Sequence, residues 1–214
     1  MTKTAIAISR REERTKRRRT QIIDAARVCV RDDGFHAASI SRIAATAAMS
    51  AGHIYKYFEN KEAIMTALIE HHMDEFSVLI AEIDQSEKRT VQSLVQSFVA
   101  KLPSILKDDR TALWLEIQAE AGRNPRVREM SILSANRFRE TIRKVIEPVL
   151  EGNTEEEIDT RVEMLLICMH GLGLQASAQS GSGFLALATA VELTFQTMLT
   201  TGLQSVAPRK VKAA

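Results

Sequence analysis

The sequence predicts an all-α protein, and three observations carry that prediction. Its 214 residues include only 9 Gly and 4 Pro, whereas Ala, Leu, Glu, Arg and Ile are abundant. Apolar side chains recur at intervals of three and four, as at Ile22, Ile23, Ala26 and Val30. Helix start and stop signals separate the periodic stretches: Gly34, Asn60, Asn124–Pro125, Thr154 with Glu157, and the run Ser180–Gly181–Ser182–Gly183.

Taken in order, these signals define about nine helices. The first covers about 18–33 and stops at Gly34. Two short ones follow at 40–47 and 51–58, separated by the tight turn Ala48–Met49–Ser50. The fourth starts at Asn60, which can cap it, places Ile64, Leu68 and Phe76 inward, and runs to about Ile83 without a flexible hinge. A fifth spans about 91–106, with Leu94, Val95, Phe98, Leu102 and Ile105 on one side; Pro103 is expected to kink or shorten it. Asp108–Asp109 opens the sixth, which ends near Gly122. Asn124 then caps a seventh, with Pro125 at its first position, running to about Leu150 with Pro148 bending its last turn. A capping box of Thr154 and Glu157 starts the eighth, and the ninth follows the Ser/Gly run to about Thr201.

Two short helices joined by a three-residue turn form the layout that places a reading helix in the DNA major groove. Ile40, Ile43, Ala44, Ala47, Met49, Ile54 and Phe58 can face inward and fix the angle between the helices. Ser39 and Ser50 each precede a helical segment, where a hydroxyl caps free N–H groups and a helix N-terminus suits phosphate. The outer face is left with Ser41, Arg42, Ala51, Gly52, His53, Tyr55, Lys56, Tyr57 and Lys61. These are donors and thin side chains, as groove entry and phosphate contact require. Taken singly, a serine before a helix is usually a plain cap, and a Tyr or Lys on a short helix usually a solvated surface residue.

Charge distribution supports the same destination. The net charge is +2, but residues 1–19 hold eight cations (Lys3, Arg10, Arg11, Arg14, Lys16, Arg17, Arg18 and Arg19) against Glu12 and Glu13, a local excess of +6. Residues 1–16 are therefore expected to form a basic flexible arm that lies along phosphates or enters a minor groove. The alternative is a solvated leader. Residues 206–214 are expected to be a disordered tail.

The segment GFHAASISRIAATAAMSAGHIYKYFENKEAIMTAL closely resembles the DNA-binding domain of the TetR (tetracycline-repressor-like) regulators. The likeness lies in Gly34–Phe35, Ile43–Ala44, the Ser50, Gly52, Tyr55, Phe58 pattern and Lys61. It covers about sixty residues, from Arg17 to Phe76. Ala48–Met49 departs from the usual Gly–Val, and Tyr57 stands where His is common. The resemblance implies a helix-turn-helix headpiece over 17–76 and a helical effector-binding and dimerisation body over 77–205. The stretches ALWLEIQAEAGRNPRVREM and MHGLGLQAS also look like the choline-responsive betaine regulators, without transferring the ligand.

The eighth helix is apolar nearly all round from Val162 to Leu174, and the ninth carries Leu185, Leu187, Val191, Leu193, Phe195, Met198 and Leu199. One monomer core uses a single stripe of each, so these helices are expected to pair with their copies in a homodimer. For the effector pocket the expected residues are Phe98, Trp114, Ile117, Gln118, Leu133, Arg137, Met164, Cys168 and Met169. Trp114 is equally plain core, and an arginine like Arg137 is more commonly solvated or paired with a glutamate.

Catalytic chemistry finds no foothold. His71, His72 and Glu75 have metal-like spacing but no further ligands, and no nucleophile motif or phosphate-cradling glycine loop occurs. Cys29 and Cys168 are far apart and read as small core residues in a cytoplasmic protein. No cofactor, metal or membrane span is expected. The sequence thus points to a cytoplasmic, homodimeric transcriptional repressor, released from a palindromic double-stranded DNA operator by a small-molecule effector. The alternative is a ligand-independent, architectural DNA-binding protein.

Overall fold

Helix α1, Lys3–Ala37, begins far earlier than the apolar periodicity, because the basic stretch ahead of residue 18 is helical as well. The computed structural model describes residues 3–84, 89–106, 108–178 and 184–202, and every regular element among them is helical. Residues 3–16, expected to belong to a flexible arm over 1–16, are helical. Arg, Lys, Glu and Ala favour helix, and extending a nucleus that is already packed at Ile22 and Ala26 costs no new nucleation. At the other end, Gly34 (φ 79, ψ 168) breaks the helical path, and the chain turns into α2, Ile40–Thr46.

The turn after α2 has a specific construction. The Met49 N–H donates to the Ala44 carbonyl at 2.9 Å and the Ala48 N–H to Ala45 at 3.1 Å, the paired bonds of a Schellman ending. Ala48 therefore sits at φ 51, in the left-handed region where glycine is usual. Ala48→Gly is expected to stabilise the chain by about 1 kcal/mol, raising the melting temperature by roughly 2–4 °C. Circular dichroism melts check this, and an unchanged or lower melting point would refute the strain. Helix α3 then covers only Ala51–Ile54, with residues 55–57 in a turn, shorter than the expected 51–58.

The remaining elements follow their start signals closely. They are α4 (Lys61–Ala81), α5 (Val91–Ile105), α6 (Asp108–Arg123), α7 (Pro125–Ile146), α8 (Glu155–Ala178) and α9 (Phe184–Thr200). Single 3₁₀ turns follow α4 and α7 at Glu82–Asp84 and Glu147–Val149, the latter carrying Pro148. Asn60 Oδ1 accepts from the Ala63 N–H at 2.8 Å, and Asn124 Oδ1 from the Arg126 N–H at 3.1 Å. Thr154 and Glu157 form the expected box, with the Thr154 N–H donating to Glu157 at 2.8 Å and the Glu157 N–H to Thr154 Oγ1. A second box, Thr90 with Ser93, starts α5, which ends two residues past Pro103. The 180–183 Ser/Gly run and the 206–214 tail lie outside the described residues. Among those described, no helix is long and apolar enough to cross a membrane.

Two compact units result, divided inside α4 and inside α7. Unit 1 contains residues 1–77 and 107–138. Its core joins Ile22, Ala26, Ile43, Ile54, Ile64 and Leu68 to Leu113, Ile117 and Val127 of α6 and α7. Fully burying each of these isoleucine, leucine and valine side chains stabilises by about 1.5–3 kcal/mol. Unit 2 contains 78–106 and 139–214. Here Phe98 of α5 and Phe195 of α9 pack with their rings tilted by 38° and centroids 4.8 Å apart, and Leu102, Ile142, Val162 and Leu166 are buried. Arg161, only 2% exposed, donates to the Thr201 carbonyl at 2.9 Å and so ties the end of α9 to α8.

Candidate nucleic-acid interface and effector cavity

The reading segment is an exposed ledge on a buried frame. Ile43, Ala44, Ala47, Ile54 and Phe58 are buried beneath it. Above them Ser39, Ser41, Arg42, Ser50, Gly52, Tyr55 and Lys56 are exposed, whereas Ala51, His53, Tyr57 and Lys61 are half-buried. Both serines act as caps: Ser39 Oγ accepts from the Arg42 N–H at 3.2 Å and Ser50 Oγ from the His53 N–H at 3.1 Å. Among the described residues, a Cβ added at Gly52 would meet nothing within 4 Å, so internal packing does not require a glycine there.

Several side chains have internal partners that the spacing does not announce. The Tyr57 hydroxyl lies 3.4 Å from His53 Nε2, and the two rings are 5.4 Å apart. Arg42 pairs with Asp33 at 3.0 Å, and this hydrogen bond raises the guanidinium above its ordinary pKa. Lys61 Nζ donates to the Phe35 carbonyl at 2.6 Å and to His36 at 3.1 Å. Its ammonium therefore caps the end of α1 and has one donor left, so substituting Lys61 would loosen the fold as well as remove a surface charge.

Two residues that sequence reasoning leaves off the site hold the ledge in place. The Arg19 guanidinium lies 4.0 Å above the Phe58 ring and donates to the Tyr57 carbonyl at 2.5 Å. Gln21 Nε2 donates to the Ala47 carbonyl at 2.9 Å. A signal for Arg19 does exist: it lies three and four residues ahead of Ile22 and Ile23, on the side of α1 that packs inward.

The expected effector residues are divided between the two units. Unit 2 holds an apolar cavity of about 40 Å³, lined by Ile80, Ile83, Leu94, Val95, Phe98, Ile142, Val145, Ile146, Leu165, Met169, Phe195 and Leu199. Of the nine expected residues only Phe98 and Met169 line it. Met164 and Cys168 are half-buried on α8, where burial pushes the Cys168 thiol up and its sulfur lies 3.9 Å from Met198. Trp114, Ile117, Gln118, Leu133 and Arg137 belong to unit 1. There Ile117 is core, Gln118 and Leu133 are exposed, Trp114 is half-buried, and Arg137 lies 3.7 Å from Glu70. The physical reason is that α6 and the first part of α7 pack with the headpiece.

Similarity to known proteins decides which regulators these are. Residues 22–68 match the family described as bacterial regulatory proteins, tetR family. Residues 88–196, half of the chain, match the C-terminal region of BetI-type transcriptional repressors. The chain belongs to the TetR family of transcriptional regulators, with a BetI-type C-terminal region. Members of the TetR family bind DNA operators and small-molecule effectors and typically dimerise.

Among its relatives, a fatty acid metabolism regulator protein of Bacillus subtilis (strain 168) is 37% identical over 89 residues, 42% of this chain and 45% of that one. The HTH-type transcriptional regulator UidR of Escherichia coli (strain K12) is 34% identical over 112 residues, 52% of this chain and 56% of its own. The matched stretch thus spans about half the length of these two relatives. The solved structure of GusR from Salmonella enterica is similar with a TM-score of 0.64 at 26% identity, covering 86% of this TetR-family chain and 93% of that one. That of FadR from Bacillus subtilis in complex with stearoyl-CoA is similar with a TM-score of 0.66 at 20% identity, covering 85% and 97%. The FadR likeness is one of fold.

Proposed function

We propose that this regulator is a homodimeric repressor that holds a palindromic operator through α2 and α3 and releases it when an effector occupies unit 2. The exposed ledge carries the proposal: Gly52, Tyr55 and Lys56 project from a buried frame, and among the described residues nothing lies within 4 Å of a Cβ added at Gly52. On this reading Ala51, Gly52, His53 and Lys56 meet base edges, and Ser39, Ser41, Arg42, Ser50, Tyr55, Tyr57 and the spare donor of Lys61 meet phosphates. Residues 17–76 are the DNA-binding part and 77–205 the effector and dimer part, acting where the chromosome lies, in the cytoplasm. Exposed apolar side chains on α8 and α9, among them Ile167 (69%), Leu185 (80%) and Leu193 (65%), support pairing of these helices with a second copy. Two-fold pairing would place the ledges about one DNA turn apart, roughly 34–36 Å.

The effector is a molecule with a hydrocarbon part. All twelve residues around the unit 2 cavity are apolar. A quaternary ammonium such as choline favours several aromatic faces, but the two phenylalanines here pack on each other. An acyl chain suits such a lining, and a relative and a fold neighbour are a fatty acid metabolism regulator and a regulator in complex with stearoyl-CoA. Ligand pockets usually enclose about 300–1,000 Å³, so occupancy requires the Phe98–Phe195 contact to open. An effector that prefers the opened form shifts the population away from the form that binds DNA.

Fluorescence anisotropy on the DNA upstream of the coding region tests this reading. Wild type should sediment as a dimer and prefer that DNA over a scrambled duplex. His53→Ala should change the base preference, and Tyr55→Phe should weaken every sequence about 3- to 10-fold, the scale of one lost hydrogen bond. Long-chain acyl-CoA should release the complex where choline does not. Equal binding of scrambled DNA would instead establish the architectural alternative.

A further inference from the structure

The N-terminal part of α1 is a second surface with a consequence for DNA. An open groove of about 1130 Å³ runs between this part of the helix and residues 46–48, the end of α2 and the turn after it. Arg10, Arg14, Arg17 and Arg18 line it on the helix side; Glu13 and Asp24 line it too, and Lys16 adds a further cation. Arg10, Arg14, Arg17 and Gln21 are spaced four, three and four residues apart, so all four share one face of the helix. Gln21 fixes where that face points, because its Nε2 holds the Ala47 carbonyl at 2.9 Å while its Oε1 accepts from Arg18 at 2.8 Å. The face therefore leaves the turn in a set direction and extends about 16 Å from Gln21 to Arg10, at 1.5 Å per residue.

We infer that α1 from Arg10 to Arg17 is a helical phosphate rail, which carries the DNA footprint beyond the α2–α3 ledge and adds affinity without sequence preference. The inference rests on the DNA-binding reading above. It differs from the flexible arm that the charge run suggests, because a rail needs its helical register and an arm does not. Arg10, Arg14 and Arg17 are exposed, so their guanidinium groups are available to phosphate oxygens. Duplex DNA offers one phosphate per 3.4 Å along each strand, so the roughly 10 Å from Arg10 to Arg17 passes about three.

Anisotropy titrations of the full chain between 50 and 200 mM salt test the rail. The triple variant Arg10→Gln, Arg14→Gln, Arg17→Gln should melt like wild type, since none of the three is buried. Losing three phosphate contacts should make the plot of log K against log salt shallower by about 2.7. Between those salt concentrations the variant should then lose about 40-fold less affinity than wild type. Its preference for operator over scrambled duplex should stay the same. Thr15→Pro keeps every cation but breaks the helix between Arg10 and Arg17, and it too should flatten the slope. A wild-type slope in Thr15→Pro would restore the flexible arm and overturn the rail. A wild-type slope in the triple variant would overturn DNA contact by this face while leaving the α2–α3 reading intact. Failure of wild type to bind any duplex would instead sink that reading, and the rail with it.

Discussion

Gly34→Ala is expected to destabilise unit 1 by about 2–3 kcal/mol, and Gly34→Val by more. At φ 79 and ψ 168 the backbone occupies a region that is open essentially to glycine alone, so a Cβ is strained even where space exists. Space does exist: the nearest atom to an added methyl would be Glu116 Oε2 at 3.8 Å, ordinary contact. The effect is thus conformational, and trimming Glu116 would not rescue it. Relaxing the strain would disturb what the bend achieves. It buries Phe35, presents the Phe35 and His36 carbonyls to Lys61, and delivers Ser39 to cap α2. Operator affinity should therefore fall together with stability. Urea denaturation with operator titration checks both, and a wild-type unfolding midpoint would show that the bend is not strained.

How much of this is legible in the sequence depends on whether the deciding interaction is local. Asn124 with Pro125 and Thr154 with Glu157 start their helices where expected, because a cap and its partners lie within three residues. The fold class and the reading motif follow from the same local rules. The pattern overextends α3 because Ile54 and Phe58 are spaced like neighbours on one helical face. What takes the Tyr57 carbonyl instead is Arg19, thirty-eight residues earlier in the chain. Charge alone suggests a flexible arm, whereas the helicity of that stretch is inherited from a nucleus packed further along α1. The expected effector residues divide between the two units for a related reason. Leu113, Ile117 and Ala121 form an apolar stripe that either core could bury, and α6 packs with unit 1. A stripe declares that a helix is buried without naming its partner.

Gly52→Leu should lower operator affinity at least 100-fold, about 2.8 kcal/mol, while leaving the melting temperature unchanged or slightly raised. The two halves of this expectation have separate causes. Gly52 is exposed in α3, and among the described residues a Cβ there meets no atom within 4 Å. A larger residue is therefore accommodated, and a non-glycine residue in a helical position gains up to about 1 kcal/mol from its narrower unfolded ensemble. On the proposed reading the same free space is filled by bases and sugar when DNA is bound, so an isobutyl group would push the ledge outward and stretch every contact from Tyr55 and Lys56 at once. Gly52→Ala should fall between wild type and the leucine variant, because a single methyl displaces the ledge less. Both measurements are needed, since lost affinity with an intact melt separates a surface that meets DNA from one that merely folds. Wild-type affinity in Gly52→Leu would mean that α3 never approaches a duplex, and the ledge would then need a different partner.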